Sequence, residues 1–308
     1  MKPQHLRPAV TFVFLLVALA VPATAAPLRV LYFTKSSGFE HSVVKHENGQ
    51  PSYSEKVLTA LGAQQDIVFT FSKDGSLFTK AYLAQFDALL FYTSGDLCST
   101  GTDGQPGITV TGLNALFDYV EQGGGFVGLH ACSDTFHTNE RGGGNNPRRR
   151  QRYRLYGEAA DPFVKLLGGE FIRHGPQQVA RAGVVDPAFP GFGSLGQEIQ
   201  VMEEWYTLKE FAANDHVLLV MHTEGMQGAD YLRPDYPLAW ARLHGKGRVA
   251  YNAMGHREDV WDSAAFQSML VGMLTWAGHR TDHELVGNLE NVVPGHATLQ
   301  KPPPEVKE

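Results

Sequence analysis

Three histidines and a pair of adjacent glutamates are the residues of this 308-residue chain best placed to do chemistry. His130 closes the run Phe126-Val127-Gly128-Leu129-His130, the pattern of a buried strand that hands its last side chain to a tight strand-to-helix turn. An imidazole there can act as base or acid near neutral pH, or bind a metal ion. It can equally be a buried ring that bonds locally and shapes the turn. His41 follows Gly38-Phe39-Glu40, where glycine permits a sharp turn that aims the ring into a crevice or leaves it on an open loop. His256 follows Ala253-Met254-Gly255 at the end of another strand. In Glu203-Glu204-Trp205-Tyr206, carboxylates sit beside aromatic rings, the mixture that sugar sites use for hydroxyls and C–H faces. The same four residues would also suit a packed tryptophan beside solvated glutamates.

These types define two chemistries. His130 and Glu204, the latter read as the inward carboxylate, form an acid/base pair, with His41, Asp96, Trp205, Tyr206 and His256 contacting a ligand. Alternatively, His41, His130 and His256 hold a divalent ion such as zinc, with a carboxylate completing a site that keeps an open position. No HExxH-type spacing supports either, so convergence must come from the fold. His174 and His222 read as rim residues or bystanders.

Cys98 and Cys132 are the only cysteines, which excludes a disulfide framework or a cysteine-rich zinc module. Each follows one of two strands expected to be neighbours, so a single bridge is expected between them after export. Two buried thiols are the alternative. A catalytic thiol at Cys132 fits poorly, because it lies two positions past the turn residue.

The elements that must position these groups follow from periodicity. Residues 28–34, 67–71, 88–93 and 126–130 are short apolar, β-rich runs. Between them lie helical segments at 52–62, 79–85 and 112–122. Strands apolar on both faces, alternating with helices, imply a parallel sheet covered on both sides. In such sheets ligands bind beyond the carboxyl ends of the strands, where His41, Asp96 and His130 fall. Further strands are expected at 179–185, 217–222, 238–243 and 248–252, with a last helix at 264–276. Residues 281–308, rich in proline at the end, read as a loosely ordered tail.

The first 25 residues read as an export signal: Lys2 and Arg7, an apolar run from Ala9 to Val21, then Ala23-Thr24-Ala25 as a cleavage motif. Cleavage after Ala25 or Ala26 predicts a periplasmic or secreted protein with no membrane span; retention as an anchor is the alternative. Loss of Lys2 and Arg7, with no acidic residue removed, takes the net charge from −6 to −8. That balance argues against nucleic acid as a partner. The insertion from Thr138 to Tyr156 carries three consecutive glycines and five arginines between Arg148 and Arg154. It reads as a solvated loop, or as a flap that pairs with anionic ligand groups.

Several motifs in order carry a family resemblance: FTKSSGFEHS (33–42), FYTSGD (91–96), GGGFVGLHACSDT (123–135), EEWY (203–206), PLAW (237–240) and GRVAYNAMGH (247–256). Across about residues 28–278 the chain resembles ThuA-like, trehalose-utilisation proteins. The resemblance implies one α/β domain over residues 26–280, with a flavodoxin-like, doubly wound, mostly parallel sheet of the class I glutamine amidotransferase type. Histidine then stands where such folds present a nucleophilic cysteine, which excludes ordinary glutaminase chemistry. A small-molecule carbohydrate is the expected partner. The expected function is an enzyme on glycosides or modified sugars; the alternatives are a non-catalytic sugar-binding module and a metal-dependent hydrolase of non-sugar substrates.

Overall fold

The computed structural model describes residues 26–138 and 151–302. A nine-stranded sheet in the order β2-β1-β3-β4-β11-β10-β9-β6-β7 organises them. Five strands form its parallel half: β1 (Leu28–Phe33), β2 (Ile67–Ser72), β3 (Ala88–Phe91), β4 (Gly125–Leu129) and β11 (Gly247–Asn252). β3 and β4 are buried at every position, as expected for strands covered on both faces. The other half is antiparallel: β10 (Tyr236–His244), β9 (His216–His222), β6 (Gln178–Val184) and β7 (Glu198–Glu203). β10 joins the parallel half through the Gly245-Lys246 turn into β11, where Gly245 takes a positive φ of 59°.

Local sequence explains the helices that flank the site strands. α1 (Tyr53–Gln65) starts at a capping box in which Ser52 accepts from Glu55 N and Glu55 accepts from Ser52 N. After the short α2 (Lys80–Leu83), α3 (Val110–Glu121) begins on the Thr109 cap, and its Leu113, Leu116 and Val120 are buried. α4 (Pro162–Leu167) opens with proline in its first turn and closes at Gly168 in the left-handed region. α5 (Glu258–Asp262) and α6 (Ala264–Ala277) follow β11.

Besides the short helices α5 and α7 (Leu289–Val292), four elements went unforeseen because their sequences lack a clear period. They are α4, β7, and the two-stranded sheet of β5 (Glu170–His174) and β8 (Tyr206–Lys209). The last of these matters most, since its register sets His174 opposite Tyr206.

The segment read as a loose tail is a correction. Through residue 302 it runs back over β9, where Leu289 of α7 and Val293 bury against Val217 and Val220. Asn288 Oδ1 accepts from Val217 N at 2.7 Å, and Gln300 Nε2 donates to Thr207 Oγ1 at 2.7 Å. A few apolar residues among polar ones were enough to dock it, which a compositional reading overlooks. Residues 1–25, 139–150 and 303–308 lie outside the described residues, and with them the export signal and Arg148, Arg149 and Arg150 of the insertion. No helix among the described residues is long and apolar enough to cross a membrane.

Candidate functional site

Past the carboxyl end of β4, Leu129 is the last strand residue and His130 takes a positive φ of 40°. A non-glycine residue there carries strain of order 1–2 kcal/mol, which the surroundings must hold in place. They do so at the carbonyl: Tyr251 Oη donates to His130 O at 2.7 Å and Ser133 Oγ at 3.2 Å. They also hold the ring, whose Nδ1 donates to Ala253 O at 2.8 Å. Nε2 therefore presents its lone pair, and this fully buried atom has no hydrogen-bond partner.

That lone pair looks into a cluster. His41, His130, Glu204 and His256 each bring a ligand-type atom within 4.8 Å of the others. The rings of His41 and His130 lie 4.9 Å apart edge to face, and those of His41 and His256 5.1 Å. Glu204 Oε2 sits 3.1 Å from His256 Nδ1, 3.5 Å from His130 Nε2 and 3.9 Å from His41 Nε2. Besides the His130 turn, three segments deliver these groups. The 34–41 loop follows β1 and packs on Gly95, whose φ of 76° and close approach to Gly38 N exclude a side chain. Gly95, rather than Gly38, is thus the glycine this turn requires. The 253–256 turn follows β11, with Gly255 at φ 119°. Glu204 lies between β7 and β8.

Glu203, fully buried, builds the floor. Its carboxylate accepts from the backbone N–H groups of Glu204 (2.8 Å), Gly255 (2.9 Å) and His256 (3.1 Å), tying the two loops together. Burial pushes its acid up to about 7 against the pull of those donors. Burial also lowers His130 to about 4: the neighbouring Glu204 works the other way, while His41 and His256 add repulsion. His41 is lowered for the same leading reason. Glu204 behaves oppositely; burial disfavours its charge, but contacts with His130, His256 and His41 hold it far below the ordinary carboxylate range. A carboxylate therefore faces imidazoles that keep their lone pairs.

The lone pairs decide what could bind. His130 Nε2 is aimed and unbonded, His41 Nε2 lies 3.3 Å from the Tyr206 hydroxyl, and Glu204 Oε2 faces both rings. These three suit a divalent cation. His256 is different. Arg257 Nη1 donates to Gln177 Oε1 at 2.9 Å, which turns the amide nitrogen of Gln177 toward His256 Nε2 at 3.0 Å. The hydrogen of His256 is then on Nδ1, beside Glu204, so it would ligate only after the Gln177 amide turns.

The remaining expected residues divide. Tyr206 lies in the cluster, its ring 4.0 Å from that of His130. His174 is half-exposed at the rim, with Nδ1 3.4 Å from Glu204 Oε1, whereas His222 pairs with Asp235 elsewhere. Trp205 is a correction: it is fully buried and its indole donates to Gln178 O at 2.8 Å, so no ring face is open to a ligand. Its neighbours Glu204 and Tyr206 both turn into the cluster while Trp205 packs inside, and the sequence could not fix that alternation. Asp96 accepts from Cys98 N at 2.9 Å, capping its own turn.

The expected disulfide is likewise corrected, since no bond joins exposed Cys98 to buried Cys132. Cys98 lies beyond the Asp96 turn, while Cys132 points inward under Gly128. Burial pushes the Cys132 thiol far up, against a hydrogen bond with Thr93, which disfavours the thiolate that a nucleophile needs. Two residues escaped the sequence reading. Phe39, 67% exposed, meets His41 edge to face at 4.9 Å and offers an apolar ring at the mouth. Tyr92, at the end of β3, lines the cluster behind His41. Phe39, two residues before His41, was the available signal; no histidine near Tyr92 in the sequence points it to the cluster.

A family model for trehalose utilisation, ThuA, matches residues 29–277. Among solved structures, a ThuA-like protein of Bacteroides uniformis ATCC 8492 superposes with a TM-score of 0.58 at 19% identity, covering 84% of this chain and 95% of its own. A ThuA-like protein of Parabacteroides merdae ATCC 43184 gives 0.52 at 17% identity, with 84% and 93% covered. A cytoplasmic protein of Salmonella typhimurium LT2 gives 0.51 at 17%, with 83% and 100% covered. At these identities the likeness is one of fold. No curated protein matches the chain.

Proposed function

The chain belongs to the ThuA trehalose-utilisation family, and from that premise we propose that it is an exported enzyme of carbohydrate metabolism acting on glycosides or modified sugars. The parallel order β2-β1-β3-β4-β11 is read as a flavodoxin-like core, with the site at its carboxyl edge. One observation carries the proposal: a buried, unbonded imidazole lone pair on His130 Nε2, held at a strained turn and facing a carboxylate. Strain and an unsatisfied buried nitrogen are costs that packing alone has no need of.

In this reading His130 Nε2 takes a proton from a sugar hydroxyl or an attacking water, and Glu204 stabilises the imidazolium that results. The proton taken up by His130 then passes to the leaving oxygen, and His256, with its hydrogen on Nδ1, offers a hydrogen bond to a ligand oxygen. A divalent ion such as zinc on His41, His130 and Glu204 would instead polarise a substrate oxygen. Phe39 gives the sugar an apolar face to lie on. The test is a glycoside panel on purified protein, with and without chelator, beside His130→Ala. Turnover that disappears in the variant is expected. Tight sugar binding without turnover in the native protein would assign a binding module, and turnover confined to non-sugar esters or amides would assign a different hydrolase.

A further inference from the structure

At the edge of the sheet away from His130, three more metal-binding side chains converge from three separate segments: Asp186, His216 and His283. β10 is antiparallel to both β9 and β11, and β11 is parallel to β4, so β9 runs in the direction of β4. His216, its first residue, therefore sits where β4 begins and not where His130 emerges. β6 runs against β9 and ends at that same edge, two residues before Asp186. His283 comes from the extension after α6, outside the residues that match the family.

The Nε2 atoms of His216 and His283 each lie 2.8 Å from Asp186 Oδ2. His216 Nδ1 is 2.7 Å from Val286 O, and since a carbonyl only accepts, Nδ1 carries the hydrogen. In the uncharged ring, Nε2 is then a lone pair aimed at a carboxylate lone pair. Asp186 Oδ1 accepts from Ala188 N at 2.9 Å, which leaves Oδ2 turned toward the two rings. A backbone group on the far side of Asp186 and of His216, with their lone pairs facing each other on the near side, is how outer partners orient metal ligands, and His283 brings its Nε2 to the same Oδ2.

We propose that Asp186, His216 and His283 form a divalent-metal site, suited to zinc or a similar ion, that staples the C-terminal extension to the sheet. Around a tetrahedral ion with bonds of about 2.0–2.1 Å, ligand atoms stand about 3.3 Å apart, so the contacts need open by only about half an ångström. The three side chains keep 10–17% exposure, which admits water as a fourth ligand. The site does not depend on the function proposed for the other cluster.

The test is a titration of chelator-stripped full-length protein with Co²⁺, reading visible absorption and bound metal, in a His41→Ala/His256→Ala background that disables the other cluster. About one cobalt per chain, displaced by Zn²⁺, is expected. Adding His283→Ala or Asp186→Asn should abolish it while leaving the metal-free melting curve near that of the background. Zinc should also protect the chain after Ala277 from proteolysis in the background and not in the added variants. Should the double background fail to fold, His283→Ala alone must lose one equivalent relative to the native chain. Unchanged stoichiometry without His283, or no saturable cobalt in the folded background, overturns the proposal.

Discussion

His130 and His137 lie one short turn apart, both buried, and their surroundings differ in every respect that matters. His130 spends one nitrogen on a carbonyl and leaves the other bare, and burial draws it down to about 4. His137 has a carboxylate on each nitrogen: Glu170 at Nδ1, 2.9 Å away, and Asp134 in close contact at Nε2. Burial would lower it too, yet the two carboxylates outweigh that and raise it. Lys209, itself fully buried, closes the network at 3.2 Å from Glu170. Burial thus fixes how strongly a histidine responds, and the partners of its two nitrogens fix the direction. The saturated ring serves the fold, and the unsaturated one is available to a ligand.

The sharpest way to break this comparison is to remove one partner from each region. Glu170→Ala leaves Lys209 and His137 as buried charges facing each other without their carboxylate, a loss of about 3–5 kcal/mol. His130→Asn strands no charge, and asparagine tolerates a positive φ, so it should cost no more than about 1–2 kcal/mol. Ligand binding or turnover should follow the opposite order, lost in His130→Asn. Urea melts and a sugar-binding titration on both variants decide it. Equal destabilisation would return His130 to a purely structural role.

A smaller effect separates the two rings by pH. The ordinary histidine value is about 6.5. Between 6.5 and about 4 the unfolded chain binds a proton at His130 that the folded chain refuses, so its contribution to stability is whole above 6.5 and fades as pH falls toward 4. For His137, raised on folding, the contribution is whole below 6.5 and fades as pH climbs through its folded value. Imidazole resonances followed by NMR from pH 4 to 9 should titrate in that order. Reversed order would undo the assignment of the bare lone pair.

How far the sequence alone reached follows the same division. Local patterns made the parallel strands legible, because ALLF and GFVGL are apolar at every position and so must be covered twice. They also placed His130 at a strand's end. What they could not carry was anything set by pairing across distant segments. The β5–β8 ribbon, which puts His174 beside Tyr206, has no period that separates it from loop. The inward turn of Trp205 depends on that ribbon. The Asp134–His137–Glu170–Lys209 network went unseen because its members are spread over 76 residues and look like ordinary surface charge. Residue type and position after strand ends, with the family resemblance covering each segment, supplied the four residues of the cluster, but the hydrogen on His256 is set by Gln177 and Arg257, outside every quoted motif.

The smallest effect is expected between the two histidines, at Cys132. A thiol two residues past the turn that closes a parallel strand invites comparison with a nucleophile. Its setting argues otherwise: Sγ lies where a side chain on Gly128 would be, fully buried, and its ionisation is suppressed by that burial. Only a thiolate attacks, so a thiol held far above its usual range has almost no reactive form near neutral pH. Cys132→Ala should therefore cost about 1 kcal/mol of packing and leave sugar binding or turnover unchanged. Iodoacetamide should fail to modify Cys132 in the folded protein and succeed once urea unfolds it, as peptide mass mapping will show. Rapid alkylation in the native state, or loss of activity in Cys132→Ala as complete as in His130→Asn, would move the chemistry from the imidazole to the thiol.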